Sequence, residues 1–310
     1  MDSARIAFIV NPNSAGGLTA GKWPEIRAGA RSRFGRIDSF ITGGPGDATS
    51  LTREAIASGA DIIVCMGGDG TLNETINGFM GGKGPLRQGT LLGFIPSGTG
   101  CDFARSVPVQ RDAVRSFEDI RTRRHRIIDL GRLSYSKNGG GTGSRYFHNV
   151  VSFGLGGEVD LRVKGSGKAL GGSVSFIWAT LASLLSYKKK VIRIAVDDIF
   201  DERIRCWNVA VANGQYHGGG MWIAPGSEVA DGSFQLTIIG DLSMRQILLN
   251  LHRLYNGSIY KQKMVQMVRG RRITAVSDSS VLIDMDGEQC GRLPAVVEVV
   301  PSVLPIICSD

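Results

Sequence analysis

Hydrophobic positions change rhythm partway along the chain. Up to about residue 126, short and wholly apolar runs alternate with longer stretches of helical period. Ile6–Val10 is the first run, and continuous apolar runs of this length suit strands of a parallel sheet covered on both faces. Asn11-Pro12-Asn13-Ser14-Ala15-Gly16-Gly17 then turns the chain, and a helix is expected around Trp23 to Arg33. Arg36 to Thr42 reads as the second strand, and Asp47 as the cap of a helix over Ala48 to Ser58. A third strand ends at Cys65, Leu72 to Phe79 is helical, Thr90 to Ile95 is the fourth strand, and a helix over Val109 to Arg121 closes the segment. Such alternation predicts an open, mainly parallel α/β sheet, whose ligands bind beyond the carboxyl ends of the strands. Asn11, Asp69, Thr99 and Asp102 follow strands one, three and four, so they are expected at that one edge.

From Ile127-Ile128-Asp129-Leu130 onward, short strands and glycine turns take over. Strands are expected at Ile127–Tyr135, Tyr146–Phe153, Val191–Val196, Cys206–Asn213, Phe234–Ile239, Ile273–Ser277 and Val281–Met285. Their spacing predicts a β-sandwich-like domain. Two helical stretches interrupt it, the mostly apolar Leu170 to Tyr187 and the amphipathic Ser243 to Tyr255. The expected domains are therefore 1–126 and 127–294. The β-prone tail, about 295–310, is able to rejoin the first domain or the sheet.

Composition narrows the setting. With 42% hydrophobic and 21% charged residues, the 310-residue chain is globular. Its net charge of +8 favours acidic partners: nucleotides, anionic membrane surfaces or nucleic acid. The basic clusters Arg121–Arg126, Lys188–Lys190 and Arg269–Arg272 lack interleaved aromatics, which disfavours nucleic acid and leaves solvated faces or lipid headgroups. The five scattered cysteines form no C-x-x-C pair, so a reduced cytoplasmic setting is expected, without a disulfide framework or zinc site. Ile6–Val10 is too short for a signal-peptide core. The nearest approach to a spanning helix, Val174 to Tyr187, is too short and too polar, so membrane contact would be peripheral.

The chemistry concentrates in a few turns. In Met66-Gly67-Gly68-Asp69-Gly70-Thr71-Leu72-Asn73-Glu74, glycines allow close approach to a ligand, and the helix that follows offers free N–H groups to anions. A carboxylate there, Asp69, calls for a metal or a proton-donating substrate as well. The plainer alternative is a strand-to-helix turn with packing glycines. Gly98-Thr99-Gly100-Cys101-Asp102 repeats the theme, with Thr99 for a phosphate and Asp102 for a metal or hydroxyl; read plainly, it is a helix start. Asp284-Met285-Asp286-Gly287-Glu288 is first of all a hairpin turn, and secondly a presenter of Glu288 as a base. Asp231, in Ala224-Pro225-Gly226-Ser227-Glu228-Val229-Ala230-Asp231-Gly232-Ser233, is able with nearby carbonyls to hold Mg²⁺, although the loop alone favours a solvated turn. His217, beside the run Gly218-Gly219-Gly220, reads as structural or exposed rather than catalytic.

Taken in order, these motifs resemble the diacylglycerol kinase catalytic-domain family in its bacterial soluble lipid-kinase form, with sphingosine and ceramide kinases as relatives. They are Asn11-Pro12, Gly67-Gly68-Asp69-Gly70-Thr71 with Asn73-Glu74, Pro96-Ser97-Gly98-Thr99 with Asp102-Phe103-Ala104-Arg105, Asn213-Gly214, Ala224-Pro225 through Asp231-Gly232, and Asp286-Gly287-Glu288. The resemblance implies ATP in an interdomain cleft, contacted by Asn11, Thr42, Gly67, Gly68, Asp69, Gly70, Thr71, Asn73, Glu74 and Thr99. It implies Mg²⁺ organised by Asp69 and Asp102, a proton acceptor at Glu288 with Asp69 as rival, and a structural Mg²⁺ at Asp231 with the carbonyls of Glu228 and Ser233. The implied acceptor is a lipid hydroxyl, first of all that of diacylglycerol. A sphingoid base, ceramide or another glycerolipid is the alternative, and NAD kinase and a non-catalytic lipid or nucleotide sensor are the rivals. The implied setting is the cytoplasm, in peripheral contact with the anionic inner membrane surface, with a homodimer left open. Two departures stand out: Cys101 where the family often has Asn, and Gly226-Ser227 in the loop that usually reads Ala-Pro-Asp-Ala.

Overall fold

The computed structural model describes residues 4–82, 84–98, 100–165 and 182–309. Thr99 and most of the apolar helix expected over Leu170 to Tyr187 lie outside these residues; 182–186 are helical. The chain divides into two compact units, Met1–Ile128 with Ser302–Asp310, and Asp129–Pro301.

In the first unit, β1 (Ile6–Val10), β2 (Ile37–Ile41), β3 (Ile62–Gly67) and β4 (Leu91–Pro96) pair in the order β4-β3-β1-β2, all parallel. The tail adds a fifth parallel strand, with Ile306 opposite Leu92. Helices α1 (Leu18–Phe34), α2 (Asp47–Ala57), α3 (Asp69–Phe79) and α4 (Ala113–Thr122) connect or follow the strands. β1 and β3 are buried along their whole length, which is why their sequences are unbroken runs rather than alternations. Phe8, Val64, Met66, Phe117 and Ile120 form the core, and Phe34 meets Phe117 edge-on at 5.7 Å. Asp47 does not cap α2. Gly46 holds that position, and the Asp47 carboxylate turns back to accept the N–H groups of Gly43 and Gly44, each at 2.8 Å. Helix α4 starts later than expected because Asp112 is its cap, accepting from Arg115 N at 2.9 Å.

The second unit is antiparallel. The hairpin β5 (His125–Ser136) and β6 (Thr142–Phe147) precedes β7 (Val150–Gly154) and helix α5 (Leu155–Gly165). The hairpin β8 (Lys190–Val196) and β9 (Phe200–Cys206) comes next, then β10 (Asn208–Ala212) and β11 (Phe234–Ile239). After the short helix α6 (Met244–Asn250) come β12 (Val265–Gly270), β13 (Arg272–Val276), β14 (Leu282–Met285) and the long β15 (Glu288–Ile307). β7 lies between β10 and β14, and β11 lies between β10 and β12.

Three sequence expectations are corrected here. Tyr146–Phe153 is two strands, broken at His148-Asn149, where backbone N–H groups leave the ladder for a buried carboxylate. Phe200–Cys206 and Val265–Gly270 were not expected as strands, because Asp201-Glu202 and Gln266 obscure their apolar positions. The helix expected over Ser243 to Tyr255 is α-helical only to Asn250. Ser243 and Gln246 cap it reciprocally, and it tightens into a 3₁₀ turn at Leu251–Leu254.

The core of this unit gathers Ile192, Ile194, Val209, Leu236, Ile283 and Val297 around Phe147, which stacks on Phe234 at 5.6 Å. Phe147 is completely buried. Phe147→Ala is therefore expected to cost about 3–5 kcal/mol, read as a lower denaturant midpoint with an unchanged slope.

Candidate active site

In the first unit, β1, β3 and β4 all end at one edge, and their turns interlock there. β3 runs into Gly67 and Gly68, and α3 begins at Asp69. Ser97 N donates to Gly67 O at 2.7 Å, tying the turn after β4 to the turn after β3. A Cβ on Gly98 would stand 2.7 Å from the Cα of Gly68, so backbone meets backbone and only glycine fits. Asp69 fastens the same junction: its Oδ2 accepts Asp102 N at 3.0 Å and its Oδ1 accepts Phe103 N at 3.3 Å. A Cβ on Gly100 would lie 3.8 Å from Asp69 Oδ2 and 3.9 Å from Asp102 Oδ2, so the two carboxylates flank one point. Asp102 is buried, with Arg105 Nε 3.6 Å from its Oδ1.

The turn after β1 joins them. Asn11 N donates to Met66 O at 3.0 Å, and Asn11 Nδ2 to Thr71 Oγ1 at 2.9 Å. A hydroxyl chain from Ser14 through Thr19 to Ser97 links this turn to the one after β4. Thr42, just beyond β2, is buried and donates its N–H to Val10 O at 2.9 Å. Of the expected nucleotide contacts, Asn11, Gly67, Gly68, Asp69, Gly70 and Thr71 come together, with Asp102 beside them. Asn73 and Glu74 sit deeper in α3. Asn73 is buried against Asn77, and the Glu74 carboxylate accepts Gly46 N at 2.8 Å and Ala48 N at 3.2 Å, where the start of α2 favours negative charge.

Cys101 has φ of +47°, in the left-handed region. Asn enters that region more readily than most side chains, so the resembling family's usual Asn is accounted for by backbone conformation. Burial, reinforced by the Asp69 charge, pushes the Cys101 thiol up to about 11, and it stays protonated at neutral pH.

The second unit builds an acid cluster on the β14–β15 hairpin. Asp286 (φ +50°) and Gly287 (φ +86°) form the turn. The buried Asp286 carboxylate accepts the backbone N–H groups of His148 (3.1 Å), Asn149 (3.1 Å) and Val150 (3.0 Å), and lies 2.8 Å from His148 Nδ1. Asp284 is equally buried. It accepts Gly287 N at 2.9 Å and Ser152 Oγ at 3.2 Å, and pairs with His217 Nε2 at 2.9 Å. Burial opposes the Asp284 charge, but the His217 charge and hydrogen bond, with a hydrogen bond from Asp160, outweigh it and hold the carboxyl below the usual range. Asn213 donates to the carbonyls of Asp129 (3.1 Å) and His148 (2.9 Å), closing the network. Glu288 differs from its neighbours. It opens β15, its side chain is 36% exposed, and Arg145 Nη1 reaches its Oε2 at 3.4 Å. The hairpin reading and the functional reading are thus compatible: two buried acids hold the turn, and the third is presented.

His148, Asp160 and Arg145 carry no motif signal, and only the tertiary contacts bring them into this network. Asp231 is occupied otherwise than expected. Its Oδ1 accepts Ser233 N (2.9 Å) and Ser233 Oγ (3.0 Å), while Arg269 Nη1 pairs with its Oδ2 at 3.1 Å. Both oxygens of this carboxylate are thus engaged, and a Mg²⁺ held by Asp231 with the carbonyls of Glu228 and Ser233 would have to displace the Arg269 guanidinium. Among the described residues, no group of three or more His, Cys, Asp or Glu is arranged to hold a metal ion. At the β3 and β4 turns, the paired carboxylates beside glycine amides do suit a cation accompanied by phosphates.

Three substitutions probe the acid cluster. Asp286→Ala strands buried N–H groups and is expected to cost about 3–5 kcal/mol, whereas Asp286→Asn keeps an acceptor and costs less. An aspartate held below its unfolded pKa of about 3.9 stabilises the fold above that pH, and the contribution disappears as pH falls through the folded value. Thermal melts are therefore expected to show a smaller loss on acidification for Asp284→Asn than for the unaltered chain.

Both units match known protein families. Residues 5–133 match the diacylglycerol kinase catalytic domain, and residues 149–308 match the YegS C-terminal NAD kinase beta sandwich-like domain. The chain is 28% identical over 251 residues to diacylglycerol kinase of Bacillus subtilis, covering 80% of this chain and 78% of that protein. It is 26% identical over 291 residues to diacylglycerol kinase of Staphylococcus saprophyticus, covering 94% and 90%. In fold, it matches a crystal structure of a diacylglycerol kinase from Bacillus anthracis with a TM-score of 0.72 at 20% identity, covering 100% and 98% of the two chains. It matches yeast NADH kinase with 0.57 at 13% identity, covering 100% and 85%. With both units matched in sequence order, the chain belongs to the diacylglycerol kinase catalytic-domain family, a family of lipid kinases.

Proposed function

We propose that this chain transfers the γ-phosphate of ATP to the hydroxyl of diacylglycerol, forming phosphatidic acid and ADP. The observation that carries the reading is the interlock of the Gly67–Thr71 turn with the turn at Gly98, which sets glycine amides beside Asp69 and Asp102. Phosphoryl transfer asks little covalent help from a protein; it asks for a phosphate cradle, balanced charge and an aligned acceptor. Asn11 and Thr71, hydrogen-bonded to each other, border the cradle, and Thr99 and Thr42 complete the proposed nucleotide contacts. Asp69 and Asp102 would hold Mg²⁺, which when bound would neutralise phosphate charge.

The acceptor oxygen attacks the γ-phosphorus, its proton passes to a carboxylate, and the bond to the β–γ bridging oxygen breaks as ADP leaves. Glu288 is our choice for that carboxylate. It is accessible and oriented by Arg145, whereas both oxygens of Asp69 already accept backbone N–H groups. The relatives named diacylglycerol kinase support this acceptor over sphingoid bases and ceramide. Because the acceptor is a membrane lipid, the protein meets its substrate at a bilayer. No helix among the described residues is long and apolar enough to cross one, so the contact proposed is peripheral, at the inner surface.

Incubation with labelled ATP and Mg²⁺ is expected to label phosphatidic acid in diacylglycerol micelles, and not sphingosine, ceramide or NAD. Label only in NADP, or nucleotide binding without turnover on any lipid, would overturn the proposal. Asp69→Asn and Glu288→Gln are each expected to lower kcat by about 10²–10⁴-fold; near-normal turnover by both would remove them from these roles.

A further inference from the structure

Seven Lys and Arg residues and no Asp or Glu lie between Asp241 and Asp278. Arg269 and Arg272 in this stretch pair with acids elsewhere, Asp231 and Glu298. Arg245, Arg253, Lys261 and Lys263 make no ion pair among the described residues. Large apolar side chains are exposed in the same stretch: Leu248 is 49% exposed, Leu249 64%, Tyr255 58% and Met264 42%. Helix α6 directs its inner side chains, Ile247 and then Leu251 and Leu254 beyond it, into an apolar hollow completed by Leu242, Ile259 and Val265. That shared hollow holds the segment carrying Leu248 and Leu249 beside the segment carrying Lys261, Lys263 and Met264. Outward leucines and a tyrosine next to uncompensated cations are the composition of an element that lies in a bilayer interface.

We infer that α6, the 3₁₀ turn after it and the Lys261–Met264 loop form a docking surface for an anionic phospholipid bilayer. Leu248, Leu249 and Tyr255 enter the headgroup boundary, while Arg245, Arg253, Lys261 and Lys263 meet lipid phosphates. Charge selects this partner over a second copy of the chain. A symmetric dimer through the patch would set the same unpaired cations against one another, whereas an anionic surface neutralises them. The inference rests on the lipid-kinase reading, and gives that enzyme the face on which it meets the membrane holding its substrate.

Vesicle co-sedimentation tests it. The unaltered protein is expected to partition onto phosphatidylcholine vesicles containing phosphatidylglycerol, weakly onto phosphatidylcholine alone, and less in high salt. Leu248→Glu with Leu249→Glu, and separately Lys261→Glu with Lys263→Glu, are each expected to weaken partitioning at least about tenfold. Melting temperatures should stay close to the original, since all four side chains are exposed. Ile199→Glu, an apolar-to-acid change at a still more exposed side chain on the β8–β9 turn, is expected to bind as the original does. Turnover on a short-chain, water-dissolved diacylglycerol is expected to persist in both double variants.

Unchanged vesicle binding by both double variants would overturn the docking surface. So would a wild-type dimer that ignores vesicles and that Leu249→Glu converts to monomer. Absence of turnover by the unaltered protein on the dissolved lipid would instead overturn the kinase reading, while the partitioning result would still decide the surface.

Discussion

The contact between Gly68 and Gly98 is the constraint on which the glycine turns of the first unit depend. Two strand-to-helix turns approach until no side chain fits between them, and the Asp69 carboxylate then takes the amides of Asp102 and Phe103. A carboxylate within a glycine turn is thereby given fixed partners. It spends its lone pairs on the neighbouring turn and carries Asp102 to the same place. The supports radiate from this point. Asn11 ties the first turn to Thr71, a hydroxyl chain reaches Ser97, and Glu74 anchors the start of α2 from behind.

The second unit uses the same economy with different parts. Asp286 removes three consecutive amides from the strand ladder and so ends one strand and begins the next. Asp284 is buried yet charged because His217, Ser152 and a backbone amide surround it. Burial without those partners would cost several kcal/mol. Such a fully engaged turn fixes the start of β15, where Glu288 follows directly with Arg145 beside it. The rule that Asp-Gly marks a hairpin and the expectation of a functional acid describe the same few residues.

Charge is distributed as unevenly as hydrophobicity. Most arginines on the strands of the second unit are matched by a carboxylate, as in Arg193 with Asp201, Arg203 with Asp278 and Arg132 with Glu298. The stretch from α6 to Met264 is the exception, and its leucines are exposed as well. This stretch adds four cations and no acid to the net charge of +8.

The sequence by itself determined the parallel sheet, the edge of that sheet where its turns gather, and the glycine and acid motifs placed there. Those features are local: unbroken apolar runs specify doubly covered strands, and glycine turns specify where chain and ligand can approach. It also supplied the family resemblance, because motif order survives where overall identity is low. Only the tertiary structure decided what each polar side chain is bonded to. Asp47 turned from cap to loop clasp, the Glu74 carboxylate took the Gly46 amide, and Asp231 paired with Arg269. His148, Asp160 and Arg145 joined the acid cluster from positions that no spacing rule connects. The reason is physical. Secondary structure follows from periodicity within a few residues, whereas the partner of a buried charge is whichever group the packed chain brings within about 3 Å.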